Sequence, residues 1–116
     1  MAAYSKLTLS GSVNGQPIAI NTTASSVATP LHTSTPSVTA YDEIYLYASN
    51  QTADNLLLTI CWGNTGSANQ IITSVNAQSG RTLVCDGMLL NNGLTAYAFT
   101  TSTGSLLIDG FVNRIQ

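Results

Sequence analysis

A chain of 116 residues and 12.1 kDa is one domain by size, and only eight of its residues carry a formal charge at pH 7. A free-standing domain normally carries about a quarter of its residues as charges. At 7%, Ser, Thr, Asn, Gln and Gly must keep the surface wet, or part of it must face another protein; a mixture of the two is expected.

The net charge of −2, with Lys6, Arg81 and Arg114 scattered along the chain, argues against nucleic-acid binding, which depends on clustered bases. The opening stretch from Met1 to Lys6 has no apolar core of the kind a signal peptide needs, so it reads as a mature cytosolic start. The densest apolar run, Leu56 to Trp62, is too short to span a bilayer, and no membrane association is expected.

Tyr4 to Ser12 alternates, with Leu7 and Leu9 on one side and Lys6, Thr8 and Ser10 on the other. Asn14-Gly15 then suits a type I′ turn, so Gln16 to Ile20 is predicted to return as the second strand of a hairpin. Asn21 to Thr39 is rich in Ser and Thr and holds Pro30 and Pro36, which remove ladder donors. It is predicted to be an extended arm or a long surface connection, with one short edge strand around Leu31 to Thr33. Its poverty in charge favours contact with a neighbouring subunit.

Glu43 to Ser49 reads as a two-faced strand, with Ile44, Leu46 and Ala48 on one side and Glu43, Tyr45 and Tyr47 on the other. After a turn at 50–55, Leu56 to Trp62 is a strand apolar on both faces. Ile71 to Val75 follows a Gly/Asn/Ser loop, and Gln78-Ser79-Gly80 turns the chain. Thr82 to Cys85 and Met88 to Leu90 flank a bulge or tight turn at Asp86-Gly87. Asn91-Asn92-Gly93 predicts a second hairpin, with Leu94 to Thr100 pairing back, and Leu106 to Ile115 closes the chain. About eight strands at spacings near ten residues, with no helical periodicity, predict an all-β fold. The expected form is a small antiparallel β-sandwich or jelly-roll-like barrel, one domain over 1–116 with the Ser/Thr/Pro-rich arm at 21–39.

No constellation in the sequence carries chemistry. The single histidine, His32, lies between the two prolines, and no G-x-S-x-G elbow occurs, so it is expected to be solvated or at an interface. Asp42 and Glu43 are adjacent and point to opposite faces of an extended strand, while Asp86 and Asp109 each precede a glycine. Zinc spacings, acidic calcium loops and glycine-rich phosphate loops are all missing, so no catalytic residue, metal or cofactor is expected. Cys61 and Cys85 are expected to be reduced, buried thiols, with a disulfide left open. The sequons at Asn21 and Asn50 read as chance matches. Trp62 is expected to complete the core face of Leu56, Leu58 and Ile60, which leaves Tyr45 and Tyr47 as the exposed aromatic candidates.

The last segment is apolar on both faces, with Leu106, Ile108 and Val112 on one and Leu107, Phe111 and Ile115 on the other. Such a terminal strand in a chain this poor in charge predicts a homo-oligomer, built partly through Leu107, Phe111, Ile115 and the Tyr45/Tyr47 face. The arm, with Leu31, His32 and Thr33, is the second candidate contact.

Several segments resemble a known family. Leu31-His32-Thr33, the run Asp42 to Asn50, Leu58 to Gly63, Gln78-Ser79-Gly80, Gly87-Met88-Leu89-Leu90 and the ending Gly110 to Ile115 resemble the capsid cement (decoration) proteins of tailed bacteriophages. The resemblance runs from about Leu31 to the C-terminus and rests on the order and spacing of these motifs. The family pattern tends to carry an acidic residue where this chain has Cys61. It implies a β-rich structural protein, made in the host cytoplasm, that binds the major capsid protein on the outside of an icosahedral head as dimers or trimers. The alternative is a carbohydrate- or host-surface-binding module of a tail or fibre, stacking sugars on Tyr45, Tyr47 or Trp62.

Overall fold

The structure, a computed structural model, describes residues 4–100 and 106–116. Through them run β1 (Tyr4–Thr8), β2 (Ile18–Ile20), β3 (Thr29–Thr33), β4 (Tyr41–Asn50), β5 (Leu56–Trp62), β6 (Gln70–Val75), β7 (Arg81–Leu90), β8 (Thr95–Thr100) and β9 (Leu106–Ile115). Side chains alternate across a strand, and β4 obeys the rule along its whole length: Asp42, Ile44, Leu46, Ala48 and Asn50 are buried, and the residues between them are not. Burying that face takes a second layer. The fold is a β-sandwich of two antiparallel sheets, sheet A in the order β1-β9-β4-β7 with β2 also on β9, and sheet B in the order β3-β8-β5-β6.

The core lies between them. Ile44, Leu46, Ala48, Ile108 and Val112 of sheet A meet Leu31, Leu58, Ile60, Ala96 and Ala98 of sheet B, with Leu9 and Ile20 filling in from the N-terminal segment. Each large aliphatic side chain buried this way stabilises the fold by roughly 1.5–3 kcal/mol before the cost of ordering the chain is subtracted.

Two expected hairpins do not form, although their turns do. Asn14 and Gly15 have the positive φ angles of the type I′ turn, 55° and 81°, and the Gln16 amide donates to the Val13 carbonyl. Yet β1 and β2 do not pair with each other; they lie end to end along β9, β1 against its C-terminal half and β2 against its N-terminal half. Asn92 and Gly93 likewise have φ of 62° and 69°, but the chain leaves β7 in sheet A and enters β8 in sheet B. The turn arches over the sandwich rim. β5 and β6 form the consecutive hydrogen-bonded pair, and the chain otherwise tends to change sheets between strands.

The 21–39 segment is the long connection of the two expected forms and not a free arm. Its edge strand β3 pairs with β8, and a register shift between Pro30 and His32 puts both Leu31 and His32 on the core side. The last strand of the chain, β9, is interior to sheet A, between β1/β2 and β4. Its inner face, Leu106, Ile108 and Val112, is buried in the core, and Leu107, Phe111 and Ile115 on its outer face are partly buried. On β5, the other strand expected to be apolar on both faces, Leu56, Leu58 and Ile60 face the core, while on the outer side Thr59 and Cys61 are buried and Leu57 is exposed.

Glycines mark two close approaches in sheet A. Gly87, at φ 93°, forms the bulge expected at Asp86-Gly87, and a Cβ there would meet the Tyr45 ring at 3.0 Å. Gly110 sits in unbroken register opposite Leu46, and a Cβ there would collide with the Tyr45 carbonyl oxygen.

Candidate interaction surface

The buried polar residues tie the two sheets together. His32 on β3 is 3% exposed, a correction to the solvated or interface residue expected from its sequence setting. Its Nδ1 accepts the Ser10 amide at 3.0 Å, so Nε2 carries the proton and donates to Asp42 Oδ2 at 2.7 Å. Asp42, on β4 of the other sheet, also accepts from Arg114 Nε at 2.7 Å, from a second Arg114 nitrogen at 2.9 Å and from the Thr35 amide at 3.1 Å. Burial alone pushes the Asp42 carboxyl up, but the hydrogen bonds from Arg114 and His32 outweigh it and hold the group below the usual carboxylate range. Both imidazole nitrogens are committed to these partners, one of them to a backbone amide. The cluster is a clasp, and among the described residues no hydroxyl or thiol is hydrogen-bonded to the imidazole as a nucleophile would be.

A second clasp lies at the far end of β4, eight residues or about 27 Å along the strand. Asn50 is 2% exposed; its amide donates to the carbonyls of Asp54 and Val75, and its carbonyl oxygen accepts from the Thr52 amide and hydroxyl. This explains the match at Asn50-Gln51-Thr52. The Asn-x-Thr spacing there is the signature of a side-chain-closed turn.

Five of the eight expected contact residues do come together. Tyr45, Tyr47, Leu107, Phe111 and Ile115 share the outer face of sheet A, because β4 and β9 pair in register with Tyr45 opposite Phe111. Leu31 and His32 are buried inside the chain, and this corrects their expected role as contacts; Thr33 is exposed on sheet B, bonded to Thr95. The rings of Tyr45, Tyr47 and Phe111 are already covered, whereas Tyr4 and Tyr41 on the same sheet are 70% and 42% exposed. Phe111 stacks on Tyr45 at 4.7 Å and 13°, Lys6 lies 4.6 Å above Phe111, and the Tyr45 ring sits over Gly87. Arg81 lies 3.6 Å from the Tyr47 ring and is held there by Asp109 at 2.9 Å. The Tyr45 hydroxyl donates to Glu43, which raises its pKa, and Asn113 donates to the same carboxylate. Trp62 is half-buried against the core, and its indole N–H donates to the Leu89 carbonyl.

The outer face of sheet B is the surface that the sequence reading missed. β3, β5, β6 and β8 contain no Asp, Glu, Lys or Arg, whereas seven of the eight charges lie on strands of sheet A and the eighth, Asp54, on the β4–β5 turn. Along the outer side of β5, Thr59 and Cys61 are recessed, at 6% and 0% exposure. Their cross-strand neighbours are Ile72 and Gln70 on one side and Phe99 and Tyr97 on the other. The result is a shallow uncharged trough, with Leu57 at one end and Ile72 on its wall, 44% and 62% exposed. The signal was available as a gap in the charges from Leu56 to Val75 and again from Leu94 to Thr100, but which strands share a sheet is not a local property. Burial raises the Cys61 thiol on the trough floor and the Cys85 thiol in the core; the two are free and lie in different sheets.

Among the described residues no group of three His, Cys, Asp or Glu side chains is placed to hold a metal, and no helix is long and apolar enough to cross a membrane. A shallow open depression of about 210 Å³ lies over Leu83, Val84, Cys85 and Asp86 at the β7 bulges. Comparison with protein-family models, with curated proteins and with solved structures finds no match to this chain.

Proposed function

We propose that this chain is a non-catalytic structural module that binds other proteins, and specifically a cement protein on the outside of an icosahedral phage head. One observation carries the protein-binding reading: a whole sheet of the sandwich lacks charge, and its outer face is a trough with Leu57 and Ile72 exposed. Such a surface offers nothing to phosphates and fits a protein partner, whose interface core is likewise depleted in charge. The capsid assignment is supported by the order and spacing of the motifs from Leu31 to Ile115, and the major capsid protein is the partner it implies. Sugar stacking is less well supported, since the rings of Phe111, Tyr45 and Tyr47 are occupied by Lys6, Gly87 and Arg81.

The mechanism follows from linkage. A protein that binds the mature shell and not its separated parts stabilises the shell by mass action, and many symmetry-related copies turn a weak single contact into a tight one. The trough of sheet B is the docking surface, and the clasped, charge-bearing sheet A faces outward. The test is size exclusion of the protein mixed with capsids that lack it. The wild type is expected to co-elute with the shell, and Leu57→Lys, folded but charged at the trough, is expected to lose it. A wild type that ignores the shell removes the capsid reading, and a Leu57→Lys variant that binds undiminished removes the docking surface.

A further inference from the structure

Sheet edges are templates for pairing with another strand, and proteins that stay single guard them. Three of the four edges here are guarded. β7 carries Arg81, Asp86 and two register shifts; β3 carries Pro30, which has no N–H, and a register shift of its own. The β1/β2 edge is broken into strands of five and three residues, with Lys6 on the first. β6 has none of these devices. Gln70-Ile71-Ile72-Thr73-Ser74-Val75 holds no charge, proline or glycine and pairs with β5 in unbroken register, with nothing on its other side in the sheet. Ile72 at its centre is 62% exposed. The Val75 carbonyl is taken by Asn50, which leaves 70–74 as the open stretch.

We propose that residues 70–74 pair antiparallel with the same stretch of a second copy of this chain, joining two four-stranded sheets into one of eight. Three features point to a second copy. Antiparallel pairing about a two-fold axis is self-complementary, so one surface suffices for both partners. The register that places Ile72 opposite Ile72 also puts Ile71 opposite Thr73 and Gln70 opposite Ser74, pairing β-branched residues at the centre. No residue of sheet B carries charge, so two copies meet without like-charge repulsion, while a charged partner strand finds no complement. The axis runs through the sheet, so the two troughs lie on one side and form a continuous uncharged surface. A five-residue contact buries less than the roughly 1,200 Å² of a standard interface, so the dimer is concentration-dependent, with a Kd weaker than about 1 μM. This inference stands whether or not the partner of the trough is a capsid.

Sedimentation velocity over a concentration series, combined with amide hydrogen exchange, tests it. The dimer fraction is expected to rise with concentration, and amides within 70–74 to gain protection as it does. Ile72→Lys and Ile72→Glu are each expected to raise the dimer Kd at least tenfold, and an equimolar mixture of the two to recover a heterodimer. Exposure of Ile72 lets both variants fold, which unfolding curves check; if either does not, the exchange measurement on the wild type decides. A protein that stays monomeric at every concentration overturns the proposal. So does a dimer whose protection lies outside 70–74, or an Ile72→Lys variant that dimerises like the wild type.

Discussion

On the outer face of sheet A, Lys6, Glu43, Arg81 and Asp109 each touch a named partner: Lys6 the Phe111 ring, Glu43 both Tyr45 and Asn113, and Arg81 both Asp109 and the Tyr47 ring. On the outer face of sheet B there is no charge to pair, and Thr59 and Cys61 are sunk between larger neighbours. The two faces are similar in strand number and differ in charge; both expose large apolar side chains, Tyr4, Tyr41, Leu83 and Leu89 on sheet A and Leu57 and Ile72 on sheet B. A charged side chain engaged with an aromatic ring or an opposite charge is costly for a partner to desolvate again, so sheet A is the face suited to water. A surface of Thr, Ile, Leu, Phe and Tyr gives up its water at little cost, so sheet B is the face suited to protein.

If that contrast holds, polar deletions in sheet A weaken the fold and leave binding alone, whereas added charge on sheet B does the reverse. The largest effect is expected at Asp42. Replacing it by Ala strands Arg114 and His32 without their shared acceptor, for a loss of roughly 3–5 kcal/mol in denaturant unfolding. The same group sets a pH dependence. Its folded pKa lies below the unfolded value near 3.9, so the unfolded chain binds the proton more readily. The stabilisation is therefore complete well above pH 4 and is lost as pH falls through the folded value. Thermal unfolding between pH 2 and 6 is expected to show this slope in the wild type and a flatter one in Asp42→Asn.

Gly110→Ala comes next, at about 3 kcal/mol, because its Cβ would collide with the Tyr45 carbonyl and force β9 and β4 apart. A Gly110→Ala variant as stable as the wild type would show that the strands have room to give. Phe111→Ala removes the ring between Lys6 and Tyr45 and is expected to cost about 2 kcal/mol. Arg81→Met is expected to cost no more than about 1 kcal/mol, less at high salt, since its ion pair is half exposed. Smallest of all, Leu57→Lys is expected to stay within about 0.5 kcal/mol of the wild type in stability while abolishing docking. A stability loss there as large as that at Phe111 would mean that the trough is part of the folding core, and the contrast between the sheets would fail.

Residue chemistry made the strands legible. The alternation of Ile44, Leu46 and Ala48 against Glu43, Tyr45 and Tyr47 predicts the faces of β4 correctly, and Leu107, Phe111 and Ile115 fall on the outer side of β9 as their spacing requires. The bulge at Asp86-Gly87 and the positive φ angles at Asn14-Gly15 and Asn92-Gly93 were legible too, since glycine and asparagine tolerate those angles. Strand partners were not. Both expected hairpins failed because nothing within a turn says which strand its flanks will pair with: the Asn92-Gly93 turn carries the chain over the sandwich rim, and the Asn14-Gly15 turn lies between two strands that both pair with β9. His32 was misplaced for a related reason: a single imidazole among prolines has no local signature of burial, and its partners Ser10, Asp42 and the Asp42-bound Arg114 are 22, 10 and 82 residues away.

The sequence by itself determined the all-β class, the positions of the strands, their in-and-out pattern and the shortage of charge. These follow from side-chain alternation and turn chemistry, which act within a few residues. Only the tertiary structure decided which strands share a sheet, and with that the sorting of seven charges onto sheet A, the buried clasp at His32 and Asp42, and the bare edge at β6. Those features depend on backbone hydrogen bonds, which are identical in chemistry at every residue. Their partners are chosen by packing the whole core at once.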